Sequence, residues 1–587
     1  MNLQRTSSPG GGVAWGPGFH GPEEEGGLPF RWMSSHGHLQ WSPSGGPGYL
    51  ELEVFTPARD LSQTLTVEAG DTHARFALVH GWSTLSVEIP AEAASAGLRV
   101  SHVLSPDHHP GDSRELGLRV RTPRLHRDPA RHRAIATSTA NAELNMREML
   151  AGQTHLESTP VSLGIDIHGA CNVNPPCVYC DWDSSKSLEG VNVTRPFTVE
   201  TLRGYGPFFE QVSQLVNCSI GEPFMKRDLP EILALADDHG SFLEMSTNGQ
   251  ILTEDQLGSI LGRRIHLYVS IDAATAETYA RLRNTRFDSV VKNVGRIVQA
   301  KGGRGRYPLV YLVFMPIRAN LHELDAFIRL CADLEVDQFV LRPLNADSEL
   351  DLRWDRGDYS FSYQEELIPL EEKIRISGRA HELCRLLDVP FANQLDFGGA
   401  TSEMFSELFE EGRKQARALE PAASAPPEPG PSEPPPAPPT PRAEGAARPE
   451  TTPTLSRAAL SEGTWPLCTE PWKAFYIVRR GVLPCCYGGR PIAEIEDSQA
   501  AWNGRELRQI RGALARGRFP RYCLRTPSCP IVQKHREGVA LPVSERALAA
   551  LYDVWFASNR LTGGLPRRLW RLIKGPFQRG DSRPSAQ

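Results

Sequence analysis

The sequence predicts an α/β protein in three folded parts: a β-sandwich, a parallel sheet with crossover helices, and a small cysteine-rich unit. Three observations carry the prediction. From residue 161 to 342, short apolar runs alternate with longer helical ones, the pattern of parallel strands joined by right-handed crossovers. From 12 to 123, short alternating runs are bounded by Gly, Pro and Asp; strands that short need a second sheet to bury their apolar faces. Between 421 and 453, a low-complexity run containing PPEPGPSEPPPAPPTPRAEG divides a large N-terminal part from a smaller C-terminal one.

Each element follows in order. Residues 1–12 read as a disordered N-terminus and 13–123 as the sandwich, with strands at 49–55, 64–68, 83–89, 98–104 and 116–121. His109, His126 and His132 lie in loops or polar segments without a cysteine or carboxylate pattern, and are expected to be solvated rather than metal-bound. A helical connector spans 124–160. The core, 161–345, carries strands at 161–167, 215–220, 242–246, 265–271, 308–316 and 338–342, and helices at 228–239, 276–282, 289–300 and 321–334. In such sheets the chemistry sits at the carboxyl ends of the strands. An α-rich extension (346–410) leads to a Pro-rich disordered linker (411–457), expected to be extended and solvated rather than a ligand for an aromatic groove. A cysteine-bearing domain (464–535) and a basic amphipathic tail (536–587) complete the chain, the tail packing on its own domain rather than on a membrane.

Composition narrows the function. The chain has 587 residues, 40% hydrophobic and 23% charged, with a net charge of −6. That charge argues against an electrostatic nucleic-acid binder. No apolar run reaches the roughly 18 residues of a membrane span, and no basic stretch followed by an apolar one opens the chain, so a cytoplasmic protein is expected. Eleven cysteines without an export signal point to metal or redox chemistry rather than disulfides.

The decisive segment follows the first core strand: Asp166-Ile-His-Gly-Ala-Cys171-Asn-Val-Asn-Pro-Pro-Cys177-Val-Tyr-Cys180. Three thiolates are too few to close a structural zinc site, but they suit an iron-sulfur cluster with one iron left open. A zinc site completed by His168 or Asp181 is the alternative. Further markers stand at the ends of the next strands: Cys218-Ser-Ile-Gly221-Glu222-Pro223, Ser246-Thr-Asn-Gly249, and Ser270-Ile-Asp272 with Arg283 beyond.

With these markers, residues 161–345 resemble the radical S-adenosylmethionine (radical SAM) superfamily. The resemblance rests on the three-cysteine loop, with Tyr179 before its last cysteine, and on a form of the Gly-Gly-Glu-Pro motif. It implies a partial (β/α)6, TIM-like barrel. It also implies a 4Fe-4S cluster on Cys171, Cys177 and Cys180 whose open iron chelates SAM. By the same resemblance Gly221, Glu222 and Pro223 meet the SAM amino group, Ser246, Ser270 and Asp272 the ribose, and Arg283 the carboxylate. The loop departs from the usual spacing, with five residues then two instead of three then two, and Ile220 replaces the first glycine. Asn174-Pro175-Pro176 reads as a local insertion made as a turn.

Beyond the linker lie Cys468, Cys485, Cys486, Cys523 and Cys529. This part resembles the SPASM extension of radical SAM enzymes. The resemblance implies an auxiliary 4Fe-4S cluster on Cys468, Cys485, Cys523 and Cys529, with Cys486 as the substitute for Cys485; a zinc ribbon is the alternative. Cys331, Cys384 and Cys218 are expected to be packing residues. The sandwich resembles accessory domains of polysaccharide-biosynthesis proteins.

Together these resemblances imply a radical SAM enzyme of the SPASM subgroup, an oxidoreductase fed by a flavodoxin- or ferredoxin-type one-electron reductant. No residue receives a catalytic role. Its substrate is a carbohydrate or glycan precursor, or, alternatively, a peptide or protein to be matured. A non-catalytic zinc or Fe-S scaffold is the reading outside enzymes.

Overall fold

The computed structural model describes residues 12–25, 28–43, 46, 48–104, 112–121, 123–180, 197–219, 221–344, 353–397, 400–419, 452–461, 465–479, 481–526 and 529–535. His109, Asp181, Ile220, most of the proline-rich run and the basic tail lie outside them.

The N-terminal unit consists of two antiparallel sheets. One has five strands in the order Ala14–Trp15, His36–Gln40, Ser95–Val100, Thr64–Ala69, Thr72–Ala77. The other has six, with Gly48–Thr56 at its centre paired to Gly81–Ile89. Met33, Leu39, Leu52, Leu65, Leu85 and Leu98 fill the space between them, each at most 2% exposed. Sequence alternation misses the strand Phe19–Glu25, whose Gly-Pro-Glu-Glu-Glu run is polar. It stands at the edge of its sheet, where charge and proline are tolerated. His126 and His132 are not solvated as expected. Both rings pack on Tyr49, His132 stacked at 4.3 Å, and His132 also bonds to Ser86 at 2.8 Å.

The connector is a helix over Pro129–Leu150, begun by Asp128, which accepts from the amides of Ala130 and Arg131, with Pro129 in the first turn. From this helix Arg131 reaches Glu51 of the sandwich at 2.8 Å and Asp237 of the core at 3.4 Å.

The central sheet has nine strands. Its core strands are Ser162–Ile165, Gln214–Asn217, Phe242–Thr247, Ile265–Ser270, Leu309–Phe314 and Gln338–Leu341, all parallel to their neighbours. The expected helices appear, among them Leu229–Asp238 and Phe287–Lys301. Phe391–Asn393 extends one edge. The other edge corrects the expectation of a separate C-terminal domain. Ala474–Val478, from beyond the linker, pairs parallel with Ser162–Ile165 and turns back into Gly481–Leu483. A Cβ on Gly164 would stand 2.2 Å from the Tyr476 ring, so only glycine admits this strand.

The post-linker part is held by long-range hydrogen bonds to the connector. Asn145 donates to the Trp472 carbonyl at 2.6 Å, the Trp472 indole to Gln153 at 2.8 Å, and the Trp502 indole to Ser158 at 2.7 Å. Arg511, fully buried, donates to the carbonyls of Pro471 and Thr154 and stacks on Trp502. The linker does not begin where expected, because a helix runs over Ser402–Leu419. At the far side of the linker, Thr454 bridges to Val103 of the sandwich. Among the described residues no helix is long and apolar enough to cross a membrane.

Candidate functional site

The first core strand ends at Ile165, and the cysteine loop runs from there across the carboxyl ends of its neighbours. Several contacts fix the loop. The Val178 amide donates to Leu282 at 3.0 Å, and the Glu222 amide to Ala170 at 2.7 Å. Asn248 Nδ2 donates to Asn172 at 2.8 Å and lies 3.8 Å from the Cys171 sulfur. Arg283 Nη1 lies 3.6 Å from the Cys177 sulfur. Gly221 permits the closest approach, since a Cβ there would stand 2.4 Å from the Ala170 carbonyl oxygen. Cys177 is buried, and Cys171 and Cys180 are half-buried. Burial pushes the thiols of Cys171 and Cys177 up.

The acids of the site are engaged by the chain itself. Glu222 is 2% exposed, and its carboxylate accepts from Phe224 N at 3.1 Å, Thr247 Oγ1 at 2.7 Å and Asn248 N at 2.7 Å. Burial raises its pKa. This carboxylate therefore ties the second strand end to the third, with Oε1 accepting two of these bonds and Oε2 one. Asp272 is buried at a positive φ of 59°, a conformation that marks a constrained position. It accepts from Tyr179 Oη at 2.6 Å, Arg283 Nη2 at 2.5 Å and the Met315 amide at 2.8 Å. Asp272, Arg283 and Tyr179 thus face one another behind the cysteine loop. Ser246 and Ser270 differ from them: Ser246 pairs with Tyr268, two residues before Ser270, so the alternation of strands puts both serines on one face of the sheet.

The second set of cysteines gathers at the added edge of the sheet. Burial drives Cys468 up to about 12 and Cys486 to about 11, and Cys485 and Cys523 higher still. Neighbouring thiols add to each shift, Cys529 on Cys468 and Cys523 on Cys485. Cys486 is the exposed one of the five. Among the described residues no three His, Cys, Asp or Glu side chains close on a single metal-ion position. Cys331 and Cys384 are buried among helices and strands of the core. Cys218 packs beside Tyr476; burial, then Asp166 and Cys486, pushes its thiol up to about 12.

Sequence reading missed Asn248, which touches the loop at two points, and the Asp166–Arg479 pair at 2.9 Å, which joins the first strand end to the post-linker strand. Asn248 lay inside the Ser-Thr-Asn-Gly marker, so its position was legible although its partner was not. Arg479 had no local signal, because its partner is more than three hundred residues away.

The chain is similar in part to three solved structures. SuiB of Streptococcus suis bound to its precursor peptide SuiA is 13% identical, with a TM-score of 0.40, over 64% of this chain and 71% of that one. SuiB bound to S-adenosylmethionine is also 13% identical, TM-score 0.40, over 65% and 73%. A radical SAM methyltransferase from Sphaerobacter thermophilus is 17% identical, TM-score 0.27, over 40% and 65%. Residues 165–331 match the model of the radical SAM superfamily, and the centre of this chain, from the cysteine loop to the helix that bears Cys331, carries a radical SAM domain.

Proposed function

We propose that the protein is a radical SAM enzyme in which Cys171, Cys177 and Cys180 hold a 4Fe-4S cluster and S-adenosylmethionine binds beside it. The observation that supports this most is the convergence, within the family-matched span, of the cysteine loop with Gly221 and Asn248. When bound, the cluster supplies the electron that splits the sulfonium and leaves a 5′-deoxyadenosyl radical to take hydrogen from a substrate. The donor set suits such a group. Buried thiols with raised pKa become thiolates when a cationic centre lies beside them, and Arg283 and Asn248 already point N–H groups at two of the sulfurs.

The chain's own residues order the site. Glu222 fixes the turn of Gly221 and Pro223 to the third strand, and Gly221, Glu222 and Pro223 meet the SAM amino group. Asp272 and Tyr179 orient Arg283. Ser246 and Ser270 are the ribose contacts that the sheet leaves on one face. Cys468, Cys485, Cys523 and Cys529, with Cys486 in reserve, hold an auxiliary 4Fe-4S cluster.

The substrate is a carbohydrate-like molecule or a peptide. The carbohydrate reading rested on the sandwich, whose polar contacts with the core include those of Glu53 with Arg264 and Tyr307 at the amino ends of the strands. The peptide reading therefore stands level with it. Anaerobic reconstitution tests the proposal: about eight iron and eight sulfide per chain are expected, for two four-iron clusters, with 5′-deoxyadenosine formed from SAM and reductant. Stoichiometric zinc and no deoxyadenosine would leave the metal-binding scaffold as the answer.

A further inference from the structure

Where the sandwich meets the amino ends of the strands, packing leaves a cavity of about 390 Å³. Four parts of the chain line it: the sandwich through Val79 and Trp82, the connector helix through Ala142 and Met146, the sheet through Phe242, and the post-linker segment through Lys473. It lies at the opposite end of the sheet from the cysteine loop, and no step proposed above uses it.

The charges on its wall do not balance. Glu53 serves both Arg264, at 3.4 Å, and Arg121, at 4.0 Å. Glu51, 4.0 Å from Arg264, is already bonded to Arg131. The Nε atoms of Arg121 and Arg264 are buried and make no hydrogen bond among the described residues. Lys473 sits over the Trp465 ring at 4.5 Å, and among the described residues no carboxylate comes within 4.0 Å of its ammonium. The remaining acids offer little: Glu244 is bonded to Gln214 at 2.9 Å, and burial pushes both Glu244 and Glu470 toward their neutral forms. Lys473 is half-buried; burial lowers it to about 8, an effect the charge of Glu470 offsets only in part, so a carboxylate in contact with its ammonium would stabilise it.

We propose that this cavity binds a small carboxylic acid with a flat apolar body, its carboxylate received by Lys473 and its body held between Trp82, Met146 and Phe242. The site would also brace the fold. The Lys473 carbonyl accepts from the Val161 amide at 2.8 Å, where the post-linker strand joins the first core strand, so an occupant touches the sandwich, the connector and that seam at once.

Benzoate is the probe, with benzamide as its neutral isostere, titrated into the full chain by calorimetry and followed by saturation-transfer NMR. One benzoate site per chain is expected, with benzamide at least about tenfold weaker, the size of a charge-assisted hydrogen bond. Lys473→Met should weaken benzoate by a similar factor, and Lys473→Arg should keep it. Ala142→Phe, which fills the cavity without touching charge, should abolish binding while leaving the circular dichroism spectrum unchanged. Absence of benzoate binding, equal binding of benzamide, or binding indifferent to both Lys473→Met and Ala142→Phe would each overturn the proposal. Should one of these variants fail to fold, the other together with the benzoate–benzamide contrast decides it.

Discussion

The two ends of the central sheet bury charge in different ways. At the amino ends the sandwich brings Glu51 to Arg131 of the connector and Glu53 to Arg264 of the core, so carboxylates and guanidiniums meet across the joint, with Arg121 of the sandwich beside Glu53. At the carboxyl ends the donors finish on sulfur: Arg283 on Cys177 and Asn248 on Cys171, with Asp272 and Glu222 holding those donors from behind. Both ends contain buried ionic groups, yet the first set fastens two units together and the second holds a loop of thiols in position. What separates them is the last atom in each chain of contacts, a carboxylate oxygen in one case and a cysteine sulfur in the other.

Breaking the sulfur end should have the largest effect. Arg283→Met leaves Asp272 buried with Tyr179 and the Met315 amide alone. Removing one partner of a buried ion pair costs about 3 to 5 kcal/mol, read by urea unfolding of the metal-free chain, and the reconstituted variant should also retain less iron. An unchanged midpoint with unchanged iron would mean that Arg283 does not hold the loop.

The joint at the other end should respond to acid. The Arg131 and Arg264 guanidiniums around the buried Glu51 outweigh its desolvation and hold it down at about 2 instead of the usual 4.5. Its contribution, about 3 kcal/mol, is therefore complete above pH 4.5 and lost as the pH falls toward 2. Glu51→Gln should flatten that part of the stability–pH curve. A variant as acid-sensitive as the parent would place the joint's strength elsewhere. The smallest effect sharpens the same comparison: Asp128→Ala removes the acceptor for two amides at the start of the connector helix, and should cost about 1 kcal/mol with no change at the cysteine end.

Much of this was legible in the sequence, for local reasons. The parallel strands showed because each is a short apolar run, as in the all-buried Leu309–Phe314, and the cysteine loop showed because its three thiols lie within ten residues. What could not be read was non-local. Ala474–Val478 reads as a strand by its own residues, but its partner precedes it by some three hundred positions, and nothing local selects that pairing. Gly164 was the one available sign, a glycine inside a strand, which marks close approach by another chain segment. The hydrogen-bond partners of Glu222, Asp272 and Arg283 were not legible for a related reason. A motif shows which residues gather, whereas their partners come from elsewhere in the chain: Glu222 accepts from Thr247 and the Asn248 amide, and Asp272 from Arg283 and the Met315 amide.

The central claim is that the Cys171–Cys180 loop is the seat of SAM cleavage. It is tested most directly by 5′-deoxyadenosine formation in the anaerobically reconstituted full chain beside its Cys180→Ala variant. The account predicts deoxyadenosine from the parent protein and none above background from the variant, with the post-linker cysteines still binding iron. Deoxyadenosine from Cys180→Ala at the parent's rate would contradict it.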